Sequence, residues 1–159
     1  RQVGITQVLI LLLDPIAAWL VIGEFARQRN CRKLSSALKG SERAAELENH
    51  EVQGERLFRL VMTVITIAFD AKVDHALILG EEFELSLLMP GDFHGWVGLL
   101  GLVLMTYLWS LGRKTSANKR AGESFAKVKQ LHGRLSYVMM GLIVIHAFLG
   151  FLYLIQLIG

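Results

Sequence analysis

The chain has 159 residues, of which 53% are hydrophobic and 19% charged, and its formal net charge at pH 7 is +3. Its mean hydropathy of +0.44 is too high for an ordinary water-soluble domain of this length, and its apolar residues stand in long blocks. The basic residues lie between these blocks, as they do in membrane proteins, so we exclude nucleic acid as the partner that explains the charge. We therefore expect an integral membrane protein.

Four apolar segments follow one another along the chain, at about 3–25, 57–77, 93–112 and 133–157. A helix of about 20 apolar residues crosses roughly 30 Å of hydrocarbon, and these segments approach or reach that length. The pattern predicts an all-α fold, an integral membrane four-helix bundle. We expect it to form one transmembrane domain over residues 1–159, with a partly helical basic loop between the first two spans.

The segments that connect these spans differ in charge. The loops 26–56 and 113–130 are rich in lysine and arginine, whereas the loop 72–92 is acidic and carries one base, Lys72. Positively charged loops stay on the side of the membrane where the protein is made. We therefore expect the two basic loops to face the cytoplasm, or the stroma of a plastid. Both termini and the acidic loop then face the opposite side, which is the lumen of a thylakoid.

The first span contains Asp14 followed by Pro15, which complicates its interpretation. Proline removes a helical hydrogen-bond donor and clashes with the preceding turn, and a carboxylate is costly in lipid. Either the helix starts at Pro15 and the preceding residues lie at the interface, or Asp14 is buried against a partner. A helix start or a kink that faces protein is the simpler explanation.

Histidines are the candidate functional residues, because a membrane helix seldom keeps one without a role. A frequent role is axial ligation of a tetrapyrrole metal through a ring nitrogen. His132 and His146 are fourteen positions apart, so on a helix they differ by about 40° in direction and roughly 21 Å in height. Both can therefore face the same neighbouring helices, one near each membrane surface. The chain has three other histidines, His50, His75 and His94. Of these, His75 lies in the acidic loop, where we expect an exposed side chain.

Two pairings of these histidines are possible, namely His94 with His146 and His132 with His50. The first pair has a depth problem, because His94 opens its span while His146 lies roughly 14–16 Å inside the same membrane edge. Gly98 and Gly101 lie on the helix face of His94. These glycines either leave a flat surface for a macrocycle or allow two helices to pack closely.

Two stretches, "DFHGWVGLLG" and "KQLHGRLSYVMMGLIVIHAFLGFLYLIQLIG", resemble a family of small multi-helix membrane proteins from cyanobacteria and plastids. That family is distantly similar to the transmembrane domains of cytochrome b561 and ferric reductases. By this resemblance, His94 and His132 match the histidines that open the last two helices. The chain departs from the family at Asp14 and Arg56, where histidine is usual, and at His146, where glutamine is common. The resemblance implies a photosynthetic organism and a plastid thylakoid membrane.

These observations support two functions. In the first, the chain is a small subunit of a photosystem-type complex and contacts lipids and other subunits. Its His94 or His146 would ligate chlorophyll, and exposed aromatic residues could pack on chlorophyll or carotenoid: Trp96, Trp109, Phe148, Phe151 and Tyr153. In the second, it is a b-type cytochrome-like electron carrier with bis-histidine haem b, held by His94 with His146 and by His132 with His50. The incomplete ligand set favours the first function. The sequence contains no nucleophile–base constellation or phosphate loop, so we do not expect an enzyme.

Overall fold

The computed structural model describes residues 5–80 and 82–158, and all regular structure in this part of the chain is helical. The predicted all-α class is confirmed. Four long helices account for most of the fold, and one turn of 3₁₀ helix lies in the acidic loop. The helices are α1 (Ile5–Ala37), α2 (Gly40–Ile78), α3 (Phe93–Arg120) and α4 (Ala126–Ile158), and the 3₁₀ turn is Leu85–Leu88.

The helices continue well beyond the apolar segments into the charged ones. Only residues 38–39 separate α1 from α2, so the basic loop 26–56 is helical almost throughout. Oppositely charged side chains one turn apart support these polar ends, since Glu24 and Arg27 lie 3.3 Å apart and Glu55 and Arg59 lie 3.7 Å apart. Gly40 turns the chain between the helices with a φ of 59°, a conformation that glycine adopts at little cost.

Helix α1 begins at Ile5 and contains Pro15, so of the alternatives that the sequence left open, a helix start at Pro15 is wrong. A proline inside a helix removes one hydrogen bond and crowds one turn, at a cost of about 3 kcal/mol, while the turns on either side keep their bonds. The residues on both sides of the proline are apolar. In such surroundings water cannot pair with the backbone N–H and C=O groups, so a continuous helix, which pairs them internally, is favoured. The Asp14 side chain lies outside the described residues.

The four helices pack side by side in a ring. Helix α1 contacts α2 and α4, and α3 contacts the same two helices, with the most extensive packing between α3 and α4. The connection between α1 and α2, and that between α3 and α4 at residues 121–125, are short, so consecutive helices there are antiparallel. In the described part of the chain, α2 and α4 do not pack on each other directly but face one another diagonally.

A small apolar core lies at the centre of this ring and receives side chains from every helix. Its buried members are Val21 of α1, Leu57 of α2, Met105 and Leu108 of α3, and Met139 and Ile143 of α4. On α4 the core residues lie between His132 and His146, the two histidines that were predicted to occupy different depths. The core therefore separates the two histidine levels.

Two of the described helices, α3 and α4, are long and apolar enough to cross a membrane. Only 28% of the most apolar stretch of α3 and 17% of that of α4 are buried within the protein. A core helix of a soluble protein would be mostly buried, whereas these helices leave large apolar side chains on the outside, among them Val103, Phe148 and Ile155. The structure thus indicates membrane insertion through two helices, and it does not itself establish four spans.

We predict that replacing Ile143 with alanine destabilises the fold far more than the same change at Ile145. Ile143 is 9% exposed in the core, whereas Ile145 is 50% exposed two positions later on the same helix. Shortening a buried isoleucine to alanine leaves a cavity and costs about 2–5 kcal/mol of stability. The measurement is the free energy of unfolding of each purified variant in detergent. Equal losses in the two variants would show that Ile143 is not part of a packed core.

Candidate functional site

His94 and His146 are in direct contact, on the neighbouring helices α3 and α4. Asp92 caps α3, where its carboxylate accepts a hydrogen bond from the Gly95 backbone N–H at 2.7 Å, and this cap holds His94 in the first helical turn. The two imidazole rings are stacked, with centroids 4.0 Å apart and an angle of 14° between their planes. The His94 ring also donates from Nδ1 to the backbone carbonyl of His146, at 3.2 Å.

Gly98 makes this contact possible, because the His146 ring occupies the space that a side chain at position 98 would need. A Cβ atom there would lie 2.9 Å from His146 Cε1, which is closer than real contacts allow. Gly101, one turn further, faces Leu142 and Met139 of α4 at ordinary contact distances. Of the two interpretations of these glycines, close helix packing is therefore the one that the structure shows.

The contact between His94 and His146 also corrects the depth estimate. The sequence placed His146 well inside the membrane edge at which His94 lies, on the assumption that α3 and α4 end at the same level. In the structure, α4 continues for twelve residues after His146, from 147 to 158, or about 18 Å of helix. The end of α4 therefore projects past the start of α3, and the two histidines are level.

His132 packs on α3 in the same way as His146, two heptads away. A Cβ at Gly112 would lie 3.6 Å from His132 Cε1, and the His132 ring donates from Nδ1 to the backbone carbonyl of Leu108 at 3.1 Å. The two glycines and the two histidines are each fourteen positions apart. Because fourteen residues are about four helical turns, both contacts recur on one face of the pair α3 and α4. The carbonyl can only accept, so Nδ1 of His132 carries the proton and Nε2 is the basic nitrogen.

His50 approaches the same level from α2. Its Nδ1 is buried and has no hydrogen-bond partner among the described residues. Its backbone carbonyl accepts a hydrogen bond from Gln28 of α1 at 3.3 Å. Burial lowers the pKa of His50 below its usual value, and the nearby charges of His132 and Arg32 lower this pKa further. The lowered pKa favours the neutral imidazole of His50, which is the form that binds metals.

Polar contacts fix the distance of α2 from α3 beside this level. Glu51, next to His50, accepts a hydrogen bond from Arg120 at 2.7 Å, and Glu55 accepts one from the indole N–H of Trp109 at 2.7 Å. The Trp109 ring stacks on Phe58 with centroids 4.5 Å apart. Trp109 is thus half-buried between helices, whereas the sequence placed it among the exposed aromatic residues.

The two histidine pairs differ in how well they fit a metal that is bound in a macrocycle and needs only two axial ligands from the protein. Axial ligation requires both imidazole nitrogens to point at one metal over bonds of about 2 Å. The stacked rings of His94 and His146 instead turn their faces to each other, so this pair does not fit. His50 and His132 lie on helices that face each other diagonally, and the partnerless nitrogen of His50 fits an axial ligand.

Among the described residues, no three histidine, cysteine, aspartate or glutamate side chains come together to hold a bare metal ion. Two imidazoles alone suit a metal that arrives inside a macrocycle. The side chain of His75 lies outside the described residues.

Arg32 belongs to the site, although the sequence analysis did not single it out. Its guanidinium packs on α4 at Gly133, the residue after His132. For the contacts between glycines and histidines, the sequence did contain a signal, since Gly98 and Gly112 repeat the fourteen-residue interval of His146 and His132. The position of Arg32 had no such signal, because it depends on how α1 packs against α4.

No protein-family model, curated protein or solved structure matches the chain. The resemblance inferred from the sequence motifs therefore stays a prediction.

We predict that Gly98→Ala destabilises the protein by about 1–3 kcal/mol, as overpacking does, because the new methyl group meets the His146 ring. Gly101→Ala is the matched control on the same helix face, and it should cost less than about 1 kcal/mol because its new contacts are of ordinary length. Thermal unfolding in detergent measures both effects. Similar losses for the two variants would contradict the tight contact between Gly98 and His146.

Proposed function

We propose that the chain is a b-type cytochrome-like electron carrier of a membrane, with haem b held between His50 of α2 and His132 of α4. The observation that carries this proposal is that His50 lies near enough to His132 to be influenced by its charge, on helices that face each other across the ring. The buried Nδ1 of His50 has no hydrogen-bond partner among the described residues. The sequence favoured a pigment-holding subunit because its ligand set looked incomplete. The arrangement of His50 and His132 favours the cytochrome-like function instead.

The residues around the pair prepare it for ligation. The Leu108 carbonyl accepts the Nδ1 proton of His132, which orients the ring and makes Nε2 the donor to a metal. Burial favours the neutral form of His50, in which a ring nitrogen is available to a metal. Gly112 and Gly133 carry no side chains beside His132. Bound haem supplies one-electron chemistry through its iron.

The proposal includes four membrane spans, in the orientation that the loop charges predict. Helices α1 and α2 have 33 and 39 residues, which is enough length to cross a bilayer and to project from it. Their basic ends then project on the cytoplasmic or stromal side, together with the connection between α3 and α4. His50 and His132 lie near that side. The proposal places the protein in a thylakoid membrane on the basis of the motif resemblance.

A reduced-minus-oxidised absorbance spectrum of the purified protein tests this function. We expect a sharp haem α-band, which His132→Gln and His50→Gln each abolish because one axial ligand is lost. His94→Gln is the matched control in the other pair, and it should keep the band. The haem content per chain, measured after extraction, should be near one.

Other results would point elsewhere. Loss of the band in His94→Gln or His146→Gln, but not in His132→Gln, would move the haem to the other pair. Absence of haem, with chlorophyll or carotenoid in fixed ratio to the chain, would support the pigment-holding subunit, since a chlorophyll magnesium needs only one axial histidine from the protein.

A further inference from the structure

Arg32 is held against the helix that carries His132. At Gly133 a Cβ atom would lie 3.0 Å from Nη2 and 3.1 Å from Nη1 of Arg32, so the guanidinium lies directly on the α4 backbone. Gly133 is buried, and a side chain there would press on the guanidinium and make it shift by a few tenths of an ångström. Arg32 therefore places a permanent positive charge beside the level of His50 and His132.

This charge has no counter-ion in the described part of the chain. Arg27, Arg59 and Arg120 each form an ion pair with a glutamate, but no carboxylate of the described residues lies within ion-pair distance of Arg32. The Arg32 side chain is exposed, so an anion can reach the guanidinium that lies on Gly133 beside the candidate binding site.

We infer that Arg32 binds a free carboxylate of the group held between His50 and His132, so that the site selects a tetrapyrrole diacid over its ester. This inference rests on the function proposed above and adds the chemical class of the ligand. A guanidinium offers two parallel N–H donors to a carboxylate, and the hydrogen bonds are charge-assisted. An ester has the same shape but no charge, so it loses most of this interaction.

The selectivity separates the two classes of pigment that the sequence left open. Haem b has two free carboxylates, whereas the acid side chains of chlorophyll are esterified. Arg32 thus favours haem at this site through charge, independently of how many axial ligands the metal takes. A free inorganic anion could satisfy the same guanidinium, so the test must distinguish a carboxylate on the macrocycle from an anion in solution.

The experiment is a titration of the metal-free full chain in neutral detergent with iron protoporphyrin IX and, separately, with its dimethyl ester. The absorbance of the bis-histidine complex reports binding. We expect the diacid to bind the wild-type chain about tenfold more tightly than the ester, as a charge-assisted contact implies, and Arg32→Gln to bring the two affinities within about twofold. Arg32→Lys, which keeps the charge without the fork, should restore part of the preference.

Arg29→Gln is the matched control. Arg29 lies one turn earlier on α1, with its guanidinium 5.7 Å from the centre of the Tyr137 ring of α4. Its replacement removes the same charge from the same helix pair and should leave the preference for the diacid unchanged. Circular dichroism and thermal unfolding of each variant verify that it is folded.

Each outcome bears on a different statement. Equal affinity of the wild-type chain for diacid and ester would overturn the role of Arg32 and leave the proposed function intact. An equal loss of preference in Arg29→Gln would also overturn it, since general surface charge would then explain the selectivity. Loss of the preference in inorganic phosphate at constant ionic strength would assign Arg32 to a solution anion. Failure of the wild-type chain to bind either compound would overturn the proposed function itself.

Discussion

The close antiparallel packing of α3 on α4 determines most of this structure. Each histidine of α4 lies on a glycine of α3, His146 on Gly98 and His132 on Gly112, and the two contacts are two heptads apart. A slip of four residues would set Leu102 in place of Gly98 against an imidazole. A slip of three residues would keep a glycine there but set Thr115 in place of Gly112 against the other ring, which cannot share that space with a side chain. Two contacts of this kind on one interface fix the register, because both must be satisfied together.

The other two helices are placed with respect to this pair at its basic end. Glu51 and Glu55 connect α2 to α3 through hydrogen bonds, while Arg32 of α1 lies on the α4 backbone. The level of His132 thus receives Arg32 from α1, His50 from α2 and Gly112 from α3. Polar contacts suffice here because this end of the bundle carries the charged extensions of the helices, where water and headgroups can solvate what remains unpaired.

The two ends of the bundle consequently have different character. At the acidic end, His94 and His146 are in stacked contact, and their interface is built for close packing. At the basic end, His50 and His132 lie on diagonally opposed helices, with a cation beside them. The apolar core between the two levels, which includes Met105 and Met139, separates them. One chain thus holds two similar histidine pairs in unlike surroundings.

The sequence by itself determined the all-α class and the approximate positions of the helices, and it singled out four histidines as candidate site residues. These properties depend on local composition, since apolar length and the spacing of residues along one helix are readable without a partner. Only the tertiary structure decided that α1 passes through Pro15, that α4 projects past α3, and that Arg32 lies beside His132. The physical reason is that the relative height and rotation of two helices depend on contacts between them. The matching intervals of the glycines and histidines show which residues can meet, but they encode neither the height at which α4 ends nor the side chain of α1 that reaches α4.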